Sequence, residues 1–331
     1  MEKWNMSPAS KDSLEIDIAP DIETLVSSLM CKTVVTGQFT EETKRIYQLR
    51  ITVRQQSAKL IKFMFFPGWW HLPFQEVKVM KAAHRETQSL VKKMVIRRLE
   101  EMKNGARNEG DVLSLMLEAY QDEASGVSLD DVIEVCRSFH FVGPESTTRS
   151  QIWMMYLLAK HPEWQERARQ EVLQVFGEKK PNVQGLYKLK TVTMIMYEAL
   201  RLYPPTVIFH RSISKDTKLG DMVLPAWIQI SIPLILMHHD PDIWGEDATQ
   251  FNPERFAEGG SFNSRMQLLT FTWGPKKCTG ESMAVVIHKT LIATLLQGFS
   301  FQLSPSYLHA PKHVFLLAPE HGMKLLVRKF V

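Results

Sequence analysis

The sequence predicts a mainly α-helical protein with small β-sheets, folded as a single domain over residues 1–331. Three observations predict it. Most of the chain is a succession of stretches whose apolar residues recur at every third and fourth position, the helical period. Strand-like alternation is confined to short pieces, at Glu15–Ile18, Met222–Leu224, Ile228–Leu236 and the tail from Phe299. No internal repeat or low-complexity linker divides the chain, and 44% hydrophobic with 23% charged residues is the balance of a globular protein with a sizeable core.

Composition also excludes several functions. The net charge of +4 is small, and no block of like charges suggests a nucleic-acid-binding face. The three cysteines, Cys31, Cys136 and Cys278, are too few and too far apart for a disulfide framework or a zinc site, a pattern that suits a reducing compartment. No apolar run reaches the roughly 18–20 residues that span a bilayer, and the segment after Met1 has no signal-peptide core. The expectation is a chain that does not itself cross a membrane.

Taken in order, Glu15–Ile18 is a short strand and Pro20-Asp21 opens a helix. Ile22, Leu25, Val26 and Leu29 form its buried face, with an end near Gly37. Glu41 to Met64 is a second helix with Ile46, Leu49, Val53 and Leu60 inward. Residues 60–73, LIKFMFFPGWWHLP, then bring an apolar run into Pro67-Gly68 and a Trp pair. Tryptophans beside Lys and His suit a bilayer interface, giving a candidate peripheral membrane contact; a core-facing loop between two helices reads equally well. Phe74 to Lys103 is a long charged helix stopped by Asn104-Gly105, and Lys92-Lys93 and Arg97-Arg98 read as its solvated face.

Asp111 to Tyr120 is a short helix, and Ser128 caps the next, with Asp131 in its first turn. That helix, Leu129 to about Lys160, is mostly apolar and is expected at the centre of the fold. Its interior holds Phe141-Val142-Gly143-Pro144-Glu145-Ser146-Thr147-Thr148. Gly and Pro there together cost several kcal/mol and open the hydrogen-bond ladder. Read alone, Glu145, Ser146 and Thr147 repair a proline kink.

His161-Pro162-Glu163-Trp164 starts a helix that runs to Phe176 and is closed by Gly177. Leu189–Leu202 is the next, stopped by Tyr203-Pro204-Pro205. Glu198 and Arg201 share one face of it, a pairing worth little on an exposed helix. The adjacent His238-His239-Asp240 cannot present their side chains to one metal together and read as a loop or a helix start. Ser282 to Gln297 is a helix with Ala284, Ile287, Leu291 and Leu295 inward. The tail alternates through Phe301 and Leu303 and, after Ser304-Pro305-Ser306-Tyr307, ends in a strand pair near Val327.

The candidate chemistry lies in residues 269–284, LTFTWGPKKCTGESMA. Gly274 and Pro275 force a tight turn. If a helix starts beside Cys278, its first free N–H groups point toward the sulfur and, with the helix dipole, lower the thiol pKa. A lone Cys is ordinarily a small buried hydrophobe. An anionic sulfur so placed is instead a good axial ligand for haem iron, favouring O–O cleavage. Gly280 lets a flat macrocycle lie against the backbone, Phe271 packs beside the sulfur, and Lys276 meets a haem propionate.

This stretch resembles the haem-binding loop of the cytochrome P-450 superfamily, the haem-thiolate monooxygenases: Phe, two residues, Gly, one residue, Arg, one residue, Cys, one residue, Gly. Here Phe271, Gly274, Cys278 and Gly280 match, while Lys276 stands for the Arg, losing its planar two-pronged donor. Thr272 stands where Gly is usual, and Thr270 where Pro is. The central segment is similar to the family's kinked helix over the haem, which carries Ala or Gly, Gly, any residue, an acid, then Thr. The resemblance makes Glu145 the acid and puts Ser146 at the hydroxyl position with Thr147 beside it, the groups that deliver protons to bound oxygen. It makes Glu198, Arg201 and Arg255 a buried structural ion-pair network beneath the haem loop, Arg211 a propionate ligand, and Thr206, Val207, Ile208 and Phe209 part of the substrate pocket.

The resemblance covers about Glu15 to Val327, and the wording around residues 161–166 and 304–311 is similar to the plant 72 clan. It implies a cytochrome P-450 fold lacking its N-terminal anchor, first sheet and first helices. It implies a monooxygenase with haem b, its iron held by Cys278, that inserts oxygen into a hydrophobic terpenoid or hormone-like molecule of plant secondary metabolism. Electrons would come from NADPH through a flavoprotein reductase, at the cytosolic face of the endoplasmic reticulum by family, or in the cytosol if no anchor is attached. The substitutions around Cys278 hold open a second expectation, a non-catalytic or haem-deficient relative that keeps only the fold.

Overall fold

A computed structural model describes residues 13–34, 40–63, 66, 68–105, 110–260 and 267–330. The end of the first helix near Gly37, the segment after Met1, and Met64, Phe65 and Pro67 of the aromatic stretch lie outside the described residues. The chain groups into two compact units, one of residues 21–145 and one of residues 1–20 with 146–331.

The unit of residues 21–145 is helical: α1 (Ala19–Val34), α2 (Glu41–Leu60), α3 (Gln75–Lys103), α4 (Val112–Gln121) and the first half of α5 (Leu129–Lys160). Local chemistry sets the helix starts. Thr40 accepts from the Thr43 N–H and Asp111 from the Ser114 N–H, while Ser128 and Asp131 cap each other's N–H groups. Helices α2 and α3 pack along their apolar stripes, burying Ile46, Leu49, Leu60, Val77, Met80 and Val91. Arg45–Glu86 and Arg97–Glu42 pairs join the two at the solvent face, whereas Arg98, read with Arg97 as solvated, turns inward to Ser114 and Asp111 at the start of α4. In the aromatic stretch, Trp69, Trp70 and Phe74 pack onto Leu60, Val77 and Met80, whereas Phe63 and Phe66 stay exposed.

In the other unit the second half of α5 is the core. Every residue from Ile152 to Ala159 is buried, whereas the half before Pro144 alternates buried with exposed positions. The apolar centre expected for the whole helix is therefore confined to its C-terminal half. The helix is continuous across Pro144. Around it stand α6 (Pro162–Phe176), α7 (Val183–Leu186), α8 (Lys190–Leu202), α9 (Leu234–His238), α10 (Pro241–Trp244) and α11 (Glu281–Gly298). Trp153, fully buried, donates its indole N–H to the Leu317 carbonyl at 3.0 Å and stacks on Tyr203 with ring centroids 4.3 Å apart.

The strands are β1 (Leu14–Asp17), β2 (Ile208–Ser212), β3 (Thr217–Leu219), β4 (Met222–Leu224), β5 (Gln229–Pro233), β6 (Phe299–Leu303), β7 (Pro311–His313), β8 (Leu317–Pro319) and β9 (Lys324–Lys329). They form an antiparallel sheet in the order β1-β9-β6, with Val327 facing both Leu14 and Phe301, and three two-stranded ladders, β2-β5, β3-β4 and β7-β8. The strand expected over Ile228–Leu236 stops at Pro233. Leu234–His238 turns into α9 because Pro233 has no N–H for the ladder and its φ of -81° serves as a helix N-cap. Among the described residues no helix is long and apolar enough to cross a membrane.

Candidate functional site

The Cys278 loop is shaped by its own backbone. The Cys278 N–H donates to the Phe271 carbonyl at 2.8 Å and the Thr272 N–H to the Leu269 carbonyl at 2.8 Å, with a short 3-10 turn over Gly274–Lys276 between them. Gly274 sits at φ 76°, the left-handed region that a glycine adopts without cost. Thr272 is there too, at φ 58°, with its hydroxyl donating to the Lys276 carbonyl at 2.6 Å. The sequence departs from the family pattern at the very position where the backbone calls for glycine. Gly280 caps α11, and the Ala284 N–H closes the first turn onto its carbonyl.

The Cys278 thiol is exposed, and Phe271 is half-buried without covering it. A Cβ placed at Gly280 would meet only Cys278 Sγ, at 3.9 Å, so the space beside the sulfur is open. Cys31 and Cys136 are buried thiols whose burial pushes them up to about 11 and about 12, too high to supply a thiolate. Lys276 is exposed, and Lys277 pairs with Glu281 one helical turn on at 2.5 Å.

Beneath the loop lies a buried charge network. Glu198 and Arg201, both 0% exposed, share two hydrogen bonds of 2.7 and 2.8 Å. Arg201 spends its other donors on the carbonyls of His238, Ala248 and Gln250. Arg255 approaches Glu198 at 3.5 Å and bonds Asp247 and the Trp244 carbonyl. The three residues expected to form an ion-pair network are thus brought together, out of water rather than on an exposed helix face. Two bonds tie the loop to this base: Thr270 Oγ1 to the Leu200 carbonyl, and the Leu269 N–H to His238 Nε2 at 3.3 Å. Burial, reinforced by the Arg201 guanidinium, holds His238 down at about 3, so its ring is neutral and its Nε2 lone pair is free to accept. Sequence reasoning set His238 aside as a loop or helix-start residue, whereas it ends α9; no spacing rule reveals an acceptor for a backbone N–H this far along the chain. Asp240, by contrast, caps α10 as a helix start should.

On α5, Ser146 is half-buried while Thr147 and Thr148 are buried, and Ser150 hydrogen bonds back to the Ser146 carbonyl at 2.9 Å. Val207 is buried; Thr206 and Phe209 are half-buried and Ile208 is exposed. Arg211, on β2, donates to its neighbour's carbonyl and lies 5.5 Å from the Phe209 ring; among the described residues no carboxylate pairs with it.

In the unit of residues 21–145, Glu145 belongs to a cluster that the sequence did not disclose. Its carboxylate accepts from Arg54 at 2.9 and 3.1 Å and lies 3.1 Å from Arg50 Nε, while Glu23 bonds Arg54 at 2.6 Å. Arg50 also donates to Ser27 Oγ at 2.9 Å. Helices α1, α2 and α5 are joined by two acids and two arginines, with Arg50 almost wholly buried.

The fold is that of one protein class, mainly helical with small antiparallel sheets and a cysteine-bearing loop ahead of α11, and the sequence assigns the family. The chain belongs to the cytochrome P-450 family: the family model described as Cytochrome P450 matches residues 1–326. The chain is similar to Cytochrome P450 72A397 of Kalopanax septemlobus, at 39% identity over 338 residues, covering 99% of this chain and 65% of that protein. It is similar to 11-oxo-beta-amyrin 30-oxidase of Glycyrrhiza uralensis, at 39% identity over 341 residues, covering 99% and 64%. Among solved structures, a retinoic acid bound cyanobacterial CYP120A1 matches with a TM-score of 0.81 at 21% identity, over 99% of this chain and 71% of that one, a likeness of fold. The chain spans about 65% of the length of the curated relatives it matches.

The family implies haem, and the residues fit it. An accessible thiol stands beside open space at Gly280, the apolar Met283, Ala284 and Val285 at the start of α11 are only half-buried, and Arg211 has no carboxylate partner among the described residues.

Proposed function

We propose that this chain acts in a haem-dependent monooxygenase reaction that inserts one oxygen atom of O₂ into a hydrophobic plant terpenoid or hormone-like molecule. The observation that carries the reading is the exposed Cys278 thiol, presented on a loop closed by the Cys278–Phe271 hydrogen bond at the start of α11. The likeness to 11-oxo-beta-amyrin 30-oxidase supports the substrate class. When bound, the haem supplies an iron centre that activates O₂, with a thiolate ligand favouring O–O cleavage.

The protein's residues then divide the remaining work. Cys278 would hold the iron, Gly280 would leave room for the ring, and Phe271 would pack beside the sulfur. Arg211 and Lys276 would bind the propionates. Ser146 and Thr147 hold the protons that the reaction consumes, and Glu145 serves them from the same turn of α5, its carboxylate oriented by Arg50 and Arg54. Thr206, Val207, Ile208 and Phe209 contact the apolar substrate. NADPH electrons arrive through a flavoprotein reductase at the endoplasmic reticulum, where, among the described residues of the aromatic stretch, the exposed Phe63 and Phe66 touch lipid.

A second reading, a haem-deficient relative that keeps the fold without turnover, is favoured by one observation, the threonine forced into the left-handed region at position 272. Purified chain reconstituted with haem and reduced under carbon monoxide separates the two. A thiolate-type Soret band, abolished in Cys278→Ala and kept in Cys136→Ala, supports the monooxygenase. No band, or one typical of a neutral thiol or histidine ligand, rejects it.

A further inference from the structure

Ten residues beyond Cys278, His288 stands on α11 with its ring 1% exposed and both nitrogens engaged by α5. Nε2 lies 2.9 Å from Ser150 Oγ and Nδ1 2.9 Å from Gln151 Oε1. The same Ser150 Oγ is 2.9 Å from the carbonyl oxygen of Ser146 and 3.2 Å from that of Thr147. Burial keeps the imidazole neutral, so it has one N–H and one lone pair to distribute between two partners.

Proton counting decides between the tautomers. With the proton on Nδ1, the ring donates to Gln151 and takes the single Ser150 hydroxyl proton, which the Ser146 carbonyl then loses. Gln151 Nε2 is left buried without a partner in that arrangement. With the proton on Nε2, the ring donates to Ser150 Oγ and the Ser150 proton goes on to the Ser146 carbonyl. Nδ1 then accepts from the Gln151 amide, turned over so that its nitrogen faces the ring. The second arrangement leaves one amide N–H and one carbonyl oxygen of Gln151 short of partners, whereas the first leaves both amide N–H groups orphaned and also takes the hydroxyl proton from the Ser146 carbonyl; the second is the cheaper.

We infer that His288 is a positioning residue: as the Nε2–H tautomer it ties α11, the helix that begins at the cysteine loop, through Ser150 to the carbonyl of Ser146 on α5. The consequence for turnover, a fixed register between the Ser146–Thr147 turn and the helix following Cys278, rests on the monooxygenase reading. The tie itself does not.

The test uses the full haem-free chain. Long-range ¹H–¹⁵N spectra, with the His288 signals assigned by their loss in His288→Gln, report the tautomer; Nε2–H is expected, and Nδ1–H overturns the inference. Amide hydrogen exchange at Ser150 is then compared among variants. Glutamine carries an N–H at the place of Nε2 and keeps protection near wild type, whereas His288→Leu and Ser150→Ala raise exchange by roughly tenfold or more. Equal exchange in wild type and Ser150→Ala overturns the tie even if His288→Leu fails to fold. A chain that passes both tests but gives no thiolate-type band loses the monooxygenase reading and keeps the tie. A chain with the band but an Nδ1–H tautomer loses only the tie.

Discussion

Thr272 carries the clearest single-residue cost in the site. An L-residue in the left-handed region loses about 1–2 kcal/mol, and a β-branched one is a true outlier there, so Thr272 at φ 58° is held by its surroundings. Those surroundings are the Leu269 carbonyl that accepts its N–H and the Lys276 carbonyl that accepts its hydroxyl. Thr272→Gly removes the strain and one hydrogen bond, and it adds up to about 1 kcal/mol of unfolded-state entropy, so the expected gain is modest, at most about 1 kcal/mol. A thermal midpoint raised by about 2 °C checks it; an unchanged or lowered midpoint means that the hydroxyl bond outweighs the strain. Glu145 makes the opposite case. Its carboxylate compensates the nearly buried Arg50, so Glu145→Gln leaves a buried charge short of a partner and is expected to cost about 3 kcal/mol in urea unfolding. A loss below about 0.5 kcal/mol would assign the neutralisation of both arginines to Glu23 alone.

Helix α8 shows how an element acquires its role from its neighbours. Spacing alone makes its Glu198 and Arg201 a routine helix pair, and the family resemblance is what put them in a buried network; both are fully buried, and the arginine binds three carbonyls from residues 238–250. Single substitutions Glu198→Gln and Arg201→Met are each expected to cost about 3–5 kcal/mol, because each strands the other charge. The double variant should cost clearly less than their sum, and strict additivity in the double-mutant cycle would falsify the coupling. The contrast explains what was legible beforehand. Helix boundaries set within a few residues were readable at Ser128 and Gly177, whereas the helix read from Glu41 to Met64 ends at Leu60. The Cys278 loop was readable because its motif is also local. The pairing of β1 with β9 joins residues more than 300 positions apart, and β2, which pairs with β5, and the Glu23–Arg50–Arg54–Glu145 cluster depend on distant partners, which no local pattern encodes. The strand over Ile228–Leu236 was read too long because its apolar run continues past Pro233, where the backbone, not the hydrophobicity, changes.

At the scale of the molecule, the buried neutral histidines make stability depend on acidity. His238 and His288 lie in the same compact unit, and burial, joined for His238 by the Arg201 guanidinium, takes them from 6.5 down to about 3 and about 4. His140 in the other unit is lowered as well, with burial as the main cause. In the unfolded chain these rings bind protons near 6.5; in the folded chain they resist until far lower. A depressed folded value contributes stability that is fully present above the unfolded value and is lost as pH falls through 6.5 toward about 4 and about 3. Each shift of a few units amounts to about 3 kcal/mol at its limit, so acid should unfold the protein well before its carboxylates are all protonated. Urea unfolding from pH about 8 down to about 4 is expected to give a plateau above about 7 and then a decline whose slope approaches two or three protons taken up on unfolding. His288→Gln should keep the plateau near wild type yet flatten the decline by about one proton, since glutamine has nothing to titrate. A slope unaltered in that variant would mean that the His288 ring is protonated in the folded protein, and the neutral two-way hydrogen bonding between α5 and α11 would fail with it.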